Sequence, residues 1–138
     1  MPIELDHTIL EVGDLEASVP FYRDIVGLAH RGRSGRFEVL LITPDTALDL
    51  AESSRQHPRH LAFRMDRDTF DAAFERMRTA GIPFGDSPSS PANMRGPGRS
   101  TGVHGATASV YFSDPDGHLL EILTYEGRDG DSAPDSTA

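Results

Sequence analysis

The stretch Ser113–Leu123, SDPDGHLLEIL, reads as a tight turn that leads directly into a buried strand. In the turn, Asp114–Gly117, proline suits an early position and glycine a left-handed one. The strand that follows, Leu119–Tyr125, carries the carboxylate of Glu121 between apolar residues. A charged group in such a place is costly unless something pairs with it. The partner of Glu121 is therefore the first question that the sequence raises.

Upstream of this stretch, residues 60–125 follow a strand–helix–strands order. His60 opens the half, strand Leu61–Met65 follows, and Asp68 is predicted to cap a helix that ends at Gly81. The segment Gly85–Thr107 is rich in Gly, Pro and Ser and is predicted to be a long loop, which in a compact domain is functional or disordered. The last predicted strands are Ser109–Phe112 and Leu119–Tyr125.

The first half of the chain repeats this order. His7 lies in the predicted strand Leu5–Val12, and Asp14 is predicted to cap a helix that runs to about Val26. Pro20 is expected to kink or loosen that helix. The later predicted strands are Phe37–Ile42 and Ala47–Ala51.

The repeat predicts a duplicated strand–helix–strand–strand–strand module. Leu48-Asp49-Leu50, late in the first half, echoes Leu120-Glu121-Ile122, late in the second. We expect one domain over residues 1–126, with modules at about 3–52 and 59–126. Residues 127–138 lack apolar anchors and are predicted to be a disordered acidic tail.

Strand alternation predicts which side chains share a face. The faces that carry Leu10 and Phe63 suit packing against the helices. His7, His60 and Glu121 would then project from the opposite face. Two imidazoles and one carboxylate form a candidate site for one divalent ion of Fe, Mn, Ni, Co or Zn. Three protein ligands leave positions open for substrate, as in catalytic sites.

A structural or solvent-exposed role remains the alternative for each of these three residues. A single histidine at a strand start, or a single glutamate in a strand, is more often a hydrogen-bonded or solvated residue. The joint placement of His7, His60 and Glu121 at repeat-related positions favours the metal site. Asp49 is either a fourth ligand or a solvated surface acid.

Composition excludes several classes of function. The chain has 138 residues, of which 37% are hydrophobic and 25% charged, as in a globular domain. It has no cysteine, which excludes disulfides and thiolate chemistry. Its net charge is −9 and its 13 basic side chains are all arginine, so we expect no nucleic-acid partner. No apolar run or signal segment is evident, so we expect no membrane partner and a cytoplasmic location.

The stretches DHTILEVGDLEASVPFYRDIVGL and YFSDPDGHLLEI closely resemble the two ends of vicinal oxygen chelate proteins. That superfamily includes glyoxalase I, bleomycin resistance proteins, fosfomycin resistance enzymes and extradiol dioxygenases. The resemblance implies an α+β fold of two βαβββ modules that form a cup-shaped mixed sheet with helices on the outer face. It also implies a homodimer with the cup at or near the interface. The implied metal ligands are His7, His60 and Glu121, with His7 contributed by the same or the partner chain.

Departures from the family patterns leave the reaction open. Fosfomycin-modifying members carry a threonine where this chain has Ile9, and they use a lysine, which this chain lacks. Tyr111 matches a substrate-contacting tyrosine of that group, with core packing as the alternative. Asp49 is shorter than the glutamate of glyoxalase I. Extradiol dioxygenases generally have two such domains.

The sequence favours a divalent-metal-dependent enzyme that acts on a small oxygenated substrate, either a lyase or isomerase or a dioxygenase. Glu121 and Tyr111 are the candidate catalytic residues. Arg64, Arg95 and His104 are the candidate substrate-binding residues, and the loop 85–107 is a candidate lid. The alternative is a drug- or metabolite-binding dimer that performs no reaction.

Overall fold

The computed structural model describes residues 2–127 of the chain. The chain forms two compact units, Met1–Pro58 (unit 1) and Arg59–Ala138 (unit 2). The predicted tail, residues 127–138, lies outside the described residues except for Gly127. The expectation of a single domain over residues 1–126 stays a prediction.

Both units are βαβββ modules. Unit 1 consists of β1 (His7–Val12), α1 (Leu15–Pro20), a π-helical segment (Phe21–Val26), β2 (Ala29–Ser34), β3 (Phe37–Thr43) and β4 (Thr46–Glu52). Unit 2 consists of β5 (His60–Arg64), α2 (Arg67–Thr79), β6 (Gly98–Gly102), β7 (Gly105–Ser113) and β8 (Leu119–Tyr125). The strand orders are β1-β4-β3-β2 and β5-β8-β7-β6. The first and last strands of each unit pair in parallel, and the other pairs are antiparallel. The predicted α+β fold of two βαβββ modules is confirmed.

Within residues 2–127, no helix has both the length and the apolar character needed to cross a membrane.

Each sheet buries one face against the helical layer of its own unit. In β1, Leu10 and Val12 are buried while His7 is exposed. In β5, Phe63 is buried between two exposed neighbours. The interior strand β8 is buried along nearly its whole length, including Glu121. The predicted buried and exposed faces of β1 and β5 are therefore confirmed. The face of the unit 2 sheet opposite the one that packs on the helical layer can hold polar groups.

The first helix begins and is interrupted as its sequence predicts. Asp14 caps it, since its Oδ1 accepts a hydrogen bond from the amide of Glu16 at 2.9 Å. Pro20 has no amide hydrogen to donate, and the α-helix ends there. The backbone continues as a π-helical turn, in which Gly27 donates to the carbonyl of Tyr22 at 3.1 Å.

The predicted cap of the second helix is wrong. Asp66, not Asp68, precedes the first helical residue, and its Oδ1 accepts from the amide of Thr69 at 2.8 Å. A cap must lie just outside the helix so that its side chain reaches the third helical residue. Asp68 lies inside the first turn, where its charge still suits the positive end of the helix dipole.

Two strands were not predicted from the sequence. Strand β2 (AHRGRS) is mostly exposed. Strand β6 (GRSTG) falls within the segment 85–107 that is predicted to be a loop, and that prediction is wrong from Gly98 onward. Both are edge strands that pair on one side only, so neither carries the apolar alternation of a half-buried strand. The irregular segment therefore ends before Gly98, and β6 and β7 form a hairpin beyond it.

Candidate metal centre

Three strands of unit 2 bring site residues to one face of the sheet. Ala62 of β5 pairs with Glu121 of β8, and His60 lies two residues before Ala62 on the same face. On the other side of β8, Tyr111 of β7 pairs directly with Glu121. The structure thus brings His60, Glu121 and Tyr111 together, at the positions that strand alternation predicts.

The imidazole of His60 lies beside the Glu121 carboxylate, with 3.2 Å between Nε2 and Oε1. Its other nitrogen, Nδ1, is 3.1 Å from the carbonyl oxygen of Leu119. A carbonyl oxygen can only accept, so Nδ1 is the donor in this contact and Nε2 faces the carboxylate. Outer hydrogen bonds of this kind orient histidines that bind metals.

Glu121 is the more buried member of the pair. The residue is 6% exposed, whereas the His60 side chain is 47% exposed. A carboxylate removed from water needs a partner that offsets the lost hydration. With Nδ1 donating to Leu119, a cation bound to both Nε2 and Oε1 would satisfy the pair, as would a proton shared between these two atoms.

The separation of the pair suits a shared metal ion. Two ligand atoms that each lie about 2.1 Å from one ion, at angles of about 90–109°, are about 3.0–3.4 Å apart. The observed distance of 3.2 Å falls in that range. In the part of the chain that the structure describes, no three His, Cys, Asp or Glu side chains group together as metal ligands. The His60–Glu121 separation is compatible with a shared ion, and all three ligands stay a prediction.

Tyr111 is held against this pair. Its hydroxyl donates to Oγ of Ser100 at 3.1 Å, and its ring stacks on His60 with the centroids 6.4 Å apart and 22° between the planes. Burial raises the pKa of the Tyr111 phenol, the Ser100 hydrogen bond opposes the rise, and the Glu121 charge adds to it. The phenol thus stays protonated at neutral pH and can donate.

A pocket of about 490 Å³ opens beside His60 and Glu121, within the range of about 300–1,000 Å³ typical of small-molecule sites. Arg64 and His104 line it as well, so two predicted substrate-binding residues share the pocket with the pair. Arg64 follows His60 by four residues along β5, about 13 Å away. We call this cavity the unit 2 pocket.

The far wall of the unit 2 pocket is the turn between β6 and β7. The amide of His104 donates to the hydroxyl of Tyr125 at 3.3 Å, and the two rings meet edge to face with centroids 5.4 Å apart. A Cβ added at Gly102 would collide with the same hydroxyl, so a larger residue there would require the Tyr125 ring to move.

The sequence predicts no role for Ser100 or Tyr125. Ser100 lies in β6, a strand that the sequence does not predict, so strand alternation assigns no sheet face to this residue. Tyr125 shares the strand face of Glu121, and that alternation was the available signal. Arg95, predicted to bind substrate, does not line the unit 2 pocket; its amide donates to Oδ1 of Asn93 at 2.9 Å.

Unit 1 carries a related pair of residues. In the parallel pairing of β1 with β4, Ile9 lies opposite Asp49, which is the register of Ala62 and Glu121 in unit 2. The Nδ1 atom of His7 lies 2.7 Å from Oδ2 of Asp6. That hydrogen bond raises the pKa of His7, partial burial opposes the rise, and the Asp49 charge adds to it. His7 is exposed, so its surroundings by themselves define no metal site.

Comparison with known proteins identifies the family. The model of the Glyoxalase/Bleomycin resistance protein/Dioxygenase superfamily matches residues 4–122. The chain belongs to this superfamily, as its resemblance predicts.

Named relatives include three kinds of enzyme. The chain is 30% identical to metallothiol transferase FosB of Shouchella clausii (strain KSM-K16), over 87% of this chain and 79% of that protein. It is 28% identical to lactoylglutathione lyase of Neisseria meningitidis, over 99% of this chain and 100% of that protein. The solved structure of Oxidase ChaP-H1 is 39% identical with a TM-score of 0.75, over 89% of this chain and 96% of that one.

Replacing Glu121 is expected to shift the ionisation of Tyr111. Without metal, Glu121→Gln removes a nearby negative charge and should lower the pKa of the Tyr111 phenol. Glu126→Gln, which lies outside the unit 2 pocket, should leave it unchanged. NMR titration of tyrosine labelled at Cζ measures this pKa, and Tyr111→Phe assigns the signal. An unchanged Tyr111 pKa in Glu121→Gln would show that the carboxylate does not act on the phenol.

Proposed function

We propose that this chain is a divalent-metal-dependent oxidase or dioxygenase that acts on a small oxygenated substrate in the unit 2 pocket. The observation that carries the proposal is the His60–Glu121 pair, an oriented imidazole and a buried carboxylate at the separation of two ligands on one ion. A pocket large enough for a small molecule opens directly beside the pair.

His7, His60 and Glu121 would hold the ion as a 2-His-1-carboxylate set, which leaves positions for substrate. His7 would be contributed by the same chain or by the second chain of a homodimer. Bound there, the metal would supply Lewis acidity to neighbouring oxygens of the substrate and stabilise negative charge that develops on them. Fe, Mn, Ni, Co and Zn are all compatible with these donor atoms.

Oxidation is favoured over group transfer and over lyase or isomerase chemistry. Identity is 39% with the oxidase, against 30% with the transferase and 28% with the lyase. Ile9 and the absence of lysine depart from the fosfomycin-modifying pattern. Asp49 is one methylene shorter than the glutamate of glyoxalase I. These differences support the oxidase subclass.

Tyr111 is the proposed proton donor beside the His60–Glu121 pair. Its pKa is raised, its hydroxyl is fixed by Ser100, and its ring lies on His60. On release of its hydrogen bond to Ser100, the phenol could donate its proton to a substrate oxygen that gains negative charge. Glu121 would act as a metal ligand beside this phenol.

The other end of the unit 2 pocket suits an anionic group. Arg64 lies about 13 Å along β5 from His60, and His104 lines the same pocket. An arginine binds carboxylate or phosphate groups through charge-assisted hydrogen bonds. The proposed substrate therefore carries neighbouring oxygens at one end and a negative charge at the other.

Metal content tests the proposed function. Purified protein offered Fe(II), Mn(II), Ni(II), Co(II) and Zn(II) in turn should retain about one ion per chain with at least one of them. His7→Ala, His60→Ala and Glu121→Gln should each lose most of it, because each removes a ligand. His57→Ala, an exposed histidine outside this set, should retain it. Elemental mass spectrometry after gel filtration measures the ratio.

The metal result also separates the two classes of function. Metal retention together with substrate-dependent oxygen uptake by the Fe(II) protein would support the oxidase. Metal retention without oxygen uptake would contradict the oxidase subclass and leave transferase or lyase chemistry. If the wild type retains no metal, and ligands bind tightly without turnover, the chain is a binding protein.

Arg64 is expected to contribute to substrate binding rather than to the chemical step. Arg64→Ala should raise KM by about tenfold with little change in kcat, because a lost charge-assisted hydrogen bond at a remote group weakens binding uniformly. Arg95→Ala, an arginine outside the unit 2 pocket, is the matched control and should change neither. Steady-state kinetics on a substrate found by oxygen-uptake screening measures both. An equal rise of KM in Arg64→Ala and Arg95→Ala would show that Arg64 has no specific role in substrate binding.

A further inference from the structure

One buried histidine has no role in the proposed function. His118, in the turn between β7 and β8, is 1% exposed. Its Nδ1 accepts a hydrogen bond from the backbone amide of Arg59, at 3.1 Å, across a sequence separation of 59 residues. Arg59 immediately precedes His60, so this side chain contacts the chain segment that carries a proposed metal ligand.

The turn that presents His118 is itself fixed by hydrogen bonds. Oδ1 of Asp114 accepts from the amide of Asp116 at 2.9 Å and from the amide of His118 at 2.8 Å. The amide of Asp114 donates to the carbonyl of His118 at 3.0 Å. His118 is therefore held on both its amide and its carbonyl, and its ring is anchored relative to the start of β8.

The parallel pairing of β5 with β8 begins at this point. The amide of Leu119 donates to the carbonyl of Arg59 at 2.8 Å, and His60 then lies opposite Leu119 in the register. The Arg59 backbone is thus bound at its carbonyl by Leu119 and at its amide by the His118 ring. A one-residue slip of β5 would turn the His60 side chain to the other sheet face, away from Glu121.

We propose that His118 is a positioning residue that fixes the start of β5, so that the His60 imidazole faces Glu121. The consequence for metal affinity rests on the proposed function, but the positioning of His60 against Glu121 does not. Outer groups that orient a metal ligand typically change affinity by about 10–100-fold when they are lost.

Two amide variants form a matched pair for the test. In His118→Asn the amide oxygen can take the place of Nδ1 and accept from Arg59. In His118→Gln the longer side chain places its amide near Nε2 instead, and the acceptor for Arg59 is lost. Both variants keep a neutral polar side chain, so a general effect of losing the imidazole appears in both. Thermal unfolding confirms that each is folded.

Three measurements are made on the wild type and on both variants. Amide hydrogen exchange follows Arg59, crystal structures of the metal-free proteins give the distance from His60 Nε2 to Glu121 Oε1, and titration with Co(II) gives metal affinity. We expect His118→Asn to match the wild type. In His118→Gln we expect faster exchange at Arg59, a His60–Glu121 distance well beyond 3.2 Å, and Co(II) affinity lower by about 10–100-fold.

The outcomes separate this inference from the proposed function. If the wild type binds no Co(II), the proposed metal site fails, while the distance in the metal-free crystals still decides the role of His118. An unchanged His60–Glu121 distance in His118→Gln would overturn the positioning role, whatever the metal result. Equal losses in the Asn and Gln variants would overturn it too, because the Nδ1 acceptor would then not be the cause.

Discussion

The parallel pairing of β5 with β8 determines where charge is buried in unit 2. Glu121 lies on an interior strand and is 6% exposed, so its carboxylate depends on what the neighbouring strands present to it. The register places His60 at 3.2 Å on one side and Tyr111 directly opposite on the other. The orientation of His60 depends on this register, whereas the pKa of Tyr111, which lies opposite Glu121 in the β7–β8 register, is raised chiefly by burial. This register places a His60 nitrogen and a Glu121 oxygen face to face, which supports the proposed metal site.

The two units show how one module can be adapted. Both place a carboxylate opposite the residue two positions after the first histidine of the module. In unit 2 that acid is Glu121, which reaches the imidazole, and the imidazole is oriented by the carbonyl of Leu119. In unit 1 the acid is the shorter Asp49, and His7 is hydrogen bonded to its chain neighbour Asp6. The two modules therefore carry different polar sites, and in unit 2 the acid lies beside the histidine of its own module.

The sequence predicts the parts of this molecule that depend on alternation and turn chemistry. Buried and exposed faces of β1 and β5, the cap at Asp14 and the turn before His118 follow from local rules that the structure obeys. Strand β6 is not predicted from the sequence because an edge strand of Gly, Arg, Ser and Thr lacks apolar alternation. The choice of Asp66 over Asp68 depends on which residue leaves helical geometry first. The distant bond from His118 to Arg59 has no local signal, since 59 residues separate its ends.

We propose that His60 and Glu121 share one metal ion, which anomalous diffraction from crystals grown with Co(II) or Fe(II) would reveal. We expect a peak at the metal absorption edge within about 2.0–2.3 Å of both His60 Nε2 and Glu121 Oε1. The remaining density at that peak would identify the third ligand and the chain that supplies it. A peak elsewhere, or none while the pair stays 3.2 Å apart, would contradict the claim and leave a hydrogen-bonded His–Glu pair.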